Sequence, residues 1–129
     1  MIIARLGRES TLLKNGKYVK DLSYLNRDLK DVIYIDFHDD NVEFHKDNAI
    51  LLPMWGGDMT DRELYDIMPF LENLANAHGV DARSEIKRYG REGTGKKYME
   101  LQHARKDFIL KQRVRECSII SYRTKGLAV

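Results

Sequence analysis

Two four-residue runs, Val32-Ile33-Tyr34-Ile35 and Ala49-Ile50-Leu51-Leu52, are apolar at every position rather than at every second one. A strand with one wet face alternates, whereas a strand that is apolar throughout has cover on both faces, as in a parallel sheet between helices. Two such strands demand helices above and below, and the rest of the chain supplies few. One hairpin and one strongly amphipathic helix do not close a three-layer α/β sandwich. A flat apolar sheet edge left open invites aggregation. The expectation is therefore that the first strand of the sheet, with its helices, comes from another polypeptide or from a larger assembly.

The hairpin is read from Leu12-Leu13-Lys14, Asn15-Gly16 and Lys17-Tyr18-Val19, because Asn and Gly accept the positive φ angles of a type I′ turn. Thr60 followed three residues later by Glu63 predicts an N-cap and capping box. Behind it Leu64, Ile67, Met68, Leu71, Leu74 and Ala75 form an apolar stripe, Gly79 is placed to end the helix, and Pro69 inside it predicts a bend near Met68. A short helix follows from Asp81 to Tyr89. Next come a Gly-rich break from Gly90 to Gly95, read as a flexible linker with a helix start, and a long polar helix from about Lys96 to Cys117. Its narrow seam of Tyr98, Leu101, Ala104, Phe108 and Val114 predicts a helix lying across a partner or an outer face. Residues 118–129 form a tail without a predicted structure.

Charge divides the chain where these patterns change. Residues 1–81 carry 9 Lys and Arg against 15 Asp and Glu, and residues 82–129 carry 13 against 5. A basic arm on an acidic body suits an anionic partner: RNA, an acidic protein face or lipid headgroups. No run approaches the ~20 apolar residues of a membrane helix, and no removable targeting segment is evident at the N-terminus. The lone Cys117 excludes an internal disulfide and is expected to be a small buried or half-buried side chain.

The order Lys20-Asp21-Leu22, Leu25-Asn26-Arg27-Asp28, Val32 to Asp36, Asn48-Ala49-Ile50 and Trp55 resembles the back half of a NIF-like (C-terminal-domain phosphatase) domain of the haloacid dehalogenase superfamily. The resemblance covers roughly residues 5 to 80. It implies a partial haloacid-dehalogenase-like, Rossmann-like α/β sheet over 1–80 with a basic helical extension over 81–129. It also implies two remnant site positions: Lys20, which in such phosphatases neutralises the transferred phosphoryl group, and Asp36, which helps hold Mg²⁺. The aspartyl nucleophile of that family lies in an Asp-x-Asp-x-Thr motif upstream of the matched region, and no Asp-x-Asp occurs in these 129 residues. The family also follows its strand Asp with Asn, Ser and Pro, where this chain has Phe37, His38 and Asp39. Left with one carboxylate, the site implies no cofactor and no metal, and Lys20 and Asp36 are expected to pair with each other.

Within that branch, Leu25-Asn26-Arg27-Asp28 and Ile67-Met68-Pro69-Phe70-Leu71-Glu72 resemble the presequence-receptor family of the mitochondrial inner-membrane translocase, which is regarded as non-catalytic. Its membrane anchor and first domain half are not among these residues.

Three patterns mislead. Gly90-Arg91-Glu92-Gly93-Thr94-Gly95-Lys96-Lys97 has P-loop spacing as far as the lysine, but a helical pattern precedes it and Lys97 occupies the hydroxyl position. His38, Asp39, Asp40 and His45 do not have the spacing of a known metal site. Trp55 reads first as a packed structural residue and second as a partner contact. The expected function is a non-catalytic scaffold subunit of a mitochondrial inner-membrane assembly, translocase-receptor-like or accessory to a respiratory or ribosomal complex. Trp55, Tyr98, Arg105, Phe108, Lys111 and Arg113 are its candidate contacts, with anionic lipid or RNA as possible partners of the tail. The alternative is half of a split Mg²⁺-dependent aspartyl phosphatase completed by a partner chain.

Overall fold

Asn15 and Gly16 take φ angles of 52° and 76°, and the chain reverses on them. Strand β1 (Leu12–Lys14) thereby pairs antiparallel with β2 (Lys17–Val19), with Leu12 opposite Val19. The computed structural model describes residues 4–125, and side chains as far as Glu116. Cys117 therefore has its side chain outside the described residues, as do residues 126–129 altogether.

The second sheet pairs β3 (Tyr34–Asp36) in parallel with β4 (Ala49–Leu51), placing Tyr34 opposite Ala49 and Asp36 opposite Leu51. β4 is covered on both faces as its composition predicts. Ala49 packs with Leu22, Val32 and Val42 on one side, while Ile50 packs with Ile67, Phe70 and Ile86 on the other. β3 departs from expectation. It begins two residues later than the apolar run, and Ile35 is 38% exposed. The connection from β3 to β4 is a series of 3₁₀ turns over Asp39–Asn48 instead of an α-helix, so cover over β3 is thin. Asn48 is buried within it, and its Nδ2 donates to the carbonyls of Leu29 (2.6 Å) and Val32 (2.8 Å). This satisfies both amide protons and ties the turn region to the segment that leads into β3.

Helix α1 (Glu63–Asn76) runs without interruption through Pro69. The expected capping box is absent. Arg62 occupies the N-cap, and it is the Asp61 carboxylate that accepts from the Glu63 amide, at 2.8 Å. Thr60 instead donates its hydroxyl to Asp58. The buried face is also rotated from the predicted stripe: Ile67 and Phe70 are buried, Leu71 and Leu74 half-buried, and Leu64 and Met68 exposed. The aromatic ring at Phe70 has two tyrosines to meet, and their packing sets which face points inward. Helix α2 (Ala82–Tyr89) starts at Asp81, whose side chain accepts from the Arg83 amide.

The Gly-rich segment is not a loose linker. The Leu51 amide donates to the Arg91 carbonyl at 2.8 Å, and Glu92 makes a parallel bridge to Leu51. Thr94 is buried, with its hydroxyl donating to the Gly90 carbonyl. Helix α3 (Thr94–Lys125) then begins so close to α1 that a Cβ on Gly95 would lie 2.5 Å from the Asp66 carbonyl oxygen. Tyr98 meets Phe70 and Tyr89 in a three-ring cluster with centroids 5.3–5.7 Å apart, all edge-on. This edge-to-face geometry is the preferred one for aromatic rings. The architecture is mixed α/β: part of a haloacid-dehalogenase-like, Rossmann-like sheet with a C-terminal helical extension.

Candidate functional site

Asp36 closes β3 at the carboxyl end of the parallel pair, the end at which open α/β sheets bind ligands. Lys20 leaves β2, and its amide donates to the Asn41 carbonyl at 2.8 Å. That bond brings the hairpin against the turn region and carries the ammonium to within 3.1 Å of the Asp36 carboxylate. The two expected site residues are thus together. Tyr34 and Asn41, which sequence reasoning did not single out, complete the cluster. Tyr34 Oη donates to Asp36 Oδ2, Lys20 Nζ donates to Tyr34 Oη at 2.6 Å, and Asn41 Nδ2 donates to Asp36 Oδ2 at 3.1 Å. The other oxygen, Oδ1, accepts from the backbone amides of Phe37 (2.7 Å) and His38 (3.3 Å). The signal for Tyr34 was present: two residues apart on a strand, Tyr34 and Asp36 point to the same face.

Burial raises the Asp36 pKa, but the hydrogen bonds from Tyr34, Asn41, the Phe37 amide and Lys20 outweigh it and hold the carboxyl well below the usual carboxylate range. Burial lowers that of Lys20, and the bonds to Tyr34 and Asp36 reverse it to a net increase. Burial and the Asp36 acceptor together raise the Tyr34 phenol. The cluster is a closed ion pair with its carboxylate oxygens fully engaged, a poor base and a poor free ligand.

The other candidate residues scatter. Trp55 is 64% exposed, contrary to its packed reading, and donates its indole N–H to the Asp58 carbonyl at 3.1 Å. It lines an apolar groove of about 610 Å³ with Ile35, Phe37, Leu52, Pro53, Leu64 and Tyr65, edged by the carboxylates of Asp36, Asp61 and Glu63. Tyr98 is corrected outright: at 7% exposure it is a core residue, because the first turn of α3 packs on α1 and leaves no outer face there. Arg105, Phe108, Lys111 and Arg113 lie on the exposed part of α3, away from Lys20 and Asp36. Of the acidic loop residues nearby, Asp39 pairs with Lys46 and Arg91 and Asp40 with Lys17, while Asp21 shares a hydrogen bond with the His45 ring at 2.8 Å.

The profile of the NIF family, NLI interacting factor-like phosphatase, matches residues 1–81, well over half of the chain. The chain belongs to this family. Among curated relatives, the mitochondrial import inner membrane translocase subunit tim50 of Aspergillus fumigatus is 40% identical over 108 residues, 84% of this chain and 21% of its own length. TIM50 of Gibberella zeae is 41% identical over 113 residues, 87% of this chain and 22% of its own length. The human carboxy-terminal domain RNA polymerase II polypeptide A small phosphatase 1 is 46% identical over 77 residues, 60% of this chain and 30% of its own length. The chain thus spans about a fifth of the translocase subunits it matches.

In a NIF-family phosphatase the Lys20 and Asp36 positions imply a bound Mg²⁺, and the residues present do not fit one. Asp36 is the one carboxylate in the cluster, and both its oxygens already accept from five protein donors. A hard cation needs about six oxygen ligands in near-octahedral array. Among the described residues no group of three or more His, Cys, Asp or Glu side chains is arranged to hold a metal. The similarity to translocase subunits extends past residue 81 into α3, since it covers 84–87% of this chain. Among the described residues no helix is long and apolar enough to cross a membrane.

Proposed function

We propose that these residues form a non-catalytic docking unit of a mitochondrial inner-membrane translocase-type assembly, with contact made through the exposed groove beside Trp55 and through α3. The observation that carries this reading is the closure of Lys20 on Asp36. With Tyr34 between them, the positive and negative groups of a phosphoryl-transfer site neutralise each other instead of facing a substrate. Relatives named as mitochondrial import subunits support it. The test pairs two measurements on the same chain. Affinity capture from mitochondria is expected to return inner-membrane translocase subunits, and hydrolysis of p-nitrophenyl phosphate with Mg²⁺ is expected to stay at the buffer rate. Turnover by the purified chain would overturn the proposal.

A second reading has one specific observation behind it. Lys20 and Asp36 lie within 3.1 Å at the carboxyl end of the parallel strands, and a phosphatase relative is 46% identical over 77 residues of this chain. A chain bearing an aspartyl nucleophile would complete such a site. Mg²⁺-dependent activity of a co-purified pair, lost in Lys20→Ala, would favour it.

A further inference from the structure

Gly95 lies against Asp66 and Tyr98 against Phe70, so α3 and α1 advance in the same direction. The groove lies at the start of α1, beside Leu64 and Tyr65. Helix α3 therefore leaves the groove behind as it runs, and residues 103–116 are all exposed. Being uninterrupted from Thr94 to Lys125, it has no hinge by which to turn back onto its own groove.

One ridge of this projecting stretch combines two apolar with three basic residues. Leu101, Arg105, Phe108, Lys111 and Arg115 follow one another at three- and four-residue steps and share a helix face. Leu101 and Phe108 are 53% and 61% exposed. Among the described residues, Arg105, Lys111 and Arg115 meet no carboxylate. The groove offers the complement: apolar walls from Pro53, Trp55, Leu64 and Tyr65, and a rim on which Glu63 is paired with Lys96 while Asp61 accepts the Glu63 backbone amide and, among the described residues, forms no salt bridge of its own, feeling Lys96 only through its field. An apolar and basic ridge matches an apolar and acidic groove in both properties at once.

We infer that the groove of one copy receives the α3 ridge of a second copy of this chain. Two copies exchanging helices use the contact twice and close a pair, which doubles the area removed from water without a new surface. The inference is independent of whether the Lys20–Asp36 cluster is inert, and an unexpected phosphatase result leaves it standing.

Sedimentation velocity of the whole chain across the micromolar range tests it. The expected result is a reversible monomer–dimer equilibrium that weakens as salt rises, because the rim pairs are solvent-exposed. Arg105→Glu with Lys111→Glu on the ridge, or Asp61→Lys with Trp55→Ala in the groove, is expected to weaken association by about tenfold or more. All four positions lie outside the core, and circular dichroism of each variant checks that the fold persists. Mixing the ridge variant with an Asp61→Lys chain is expected to restore association, since the reversed charges again oppose. A monomer at every concentration, or a dimer indifferent to both sets of substitutions, would overturn the inference. Binding of the chain to phosphatidylserine-containing vesicles without self-association would overturn it too, and would assign the ridge to a membrane surface.

Discussion

Tyr34 and Asp36 stand two residues apart on one strand, and the tyrosine hydroxyl donates to the same carboxylate oxygen that accepts from Lys20. A phenol is thereby set between an ammonium and a carboxylate, bonded to both.

Removing that hydroxyl leaves Asp36 Oδ2 with two side-chain donors and Lys20 without its nearer partner. Tyr34→Phe is expected to lower stability by roughly 1–3 kcal/mol, the cost of unmaking hydrogen bonds to a charged, largely buried acceptor. Chemical denaturation checks this. In a double-mutant cycle Lys20→Ala with Asp36→Asn should show coupling of only about 0.5–1 kcal/mol, because the Lys20 side chain is 45% exposed.

Acid should find the same cluster. Asp36 is held well below its ordinary 3.8, and Asp21 is lowered to about 2 by bonds from Ser23 and His45. A carboxylate with a depressed folded-state pKa contributes stability above the unfolded value, and that contribution is lost as pH falls through the folded one. The unfolded chain binds these protons first, so stability is expected to fall progressively from about pH 4 downward. Thermal unfolding at a series of pH values measures the slope. Asp36→Asn should flatten the acid limb, and an unchanged slope would contradict the assignment.

Gly95 gives a backbone test. An added Cβ would lie 2.5 Å from the Asp66 carbonyl oxygen, a contact that only a shift of α3 away from α1 relieves. Gly95→Ala is expected to destabilise by about 1–3 kcal/mol despite the better helix propensity of alanine. Gly56→Ala, which meets nothing within 4 Å, serves as the neutral control.

Phe70 and Phe108 separate core from surface. Phe70 is fully buried at the centre of the three-ring cluster, and Phe70→Ala is expected to cost about 3–5 kcal/mol. Phe108→Ala should leave the monomer within about 0.5 kcal/mol of the parent. Urea titration of dilute protein compares the two.

Much of this was legible from residue patterns. The hairpin followed from Asn15-Gly16, the doubly covered β4 from its unbroken apolar run, and α2 from Asp81 and the periodicity behind it. The pairing of Lys20 with Asp36 followed from the family resemblance. What failed did so for tertiary reasons. Thr60 and Glu63 have capping-box spacing, yet Asp58 captures the Thr60 hydroxyl and Asp61 takes the Glu63 amide. Asp58, Thr60, Asp61 and Glu63, four polar side chains within six positions, compete for the same few amides, and spacing alone does not rank them. The Gly90–Gly95 stretch has linker composition, but Gly95 permits close backbone approach to α1, and Arg91 and Glu92 bond alongside β4 instead of hanging slack. Tyr98 fits an exposed seam because its core partners, Phe70 and Tyr89, lie on other helices and leave no trace in the periodicity of α3. Trp55 has the surroundings of a packed residue in sequence, and its ring instead walls an open groove.

Thirty-two residues of unbroken helix make α3 a rod of about 48 Å, and only its first turns are clasped by the rest of the molecule. Such a rod is a lever whose fulcrum is the Gly95–Asp66 contact. A swing of about 5° at that pivot carries the far tip about 4 Å, so a pull on the distal end reaches the aromatic cluster as torque on a single crowded joint.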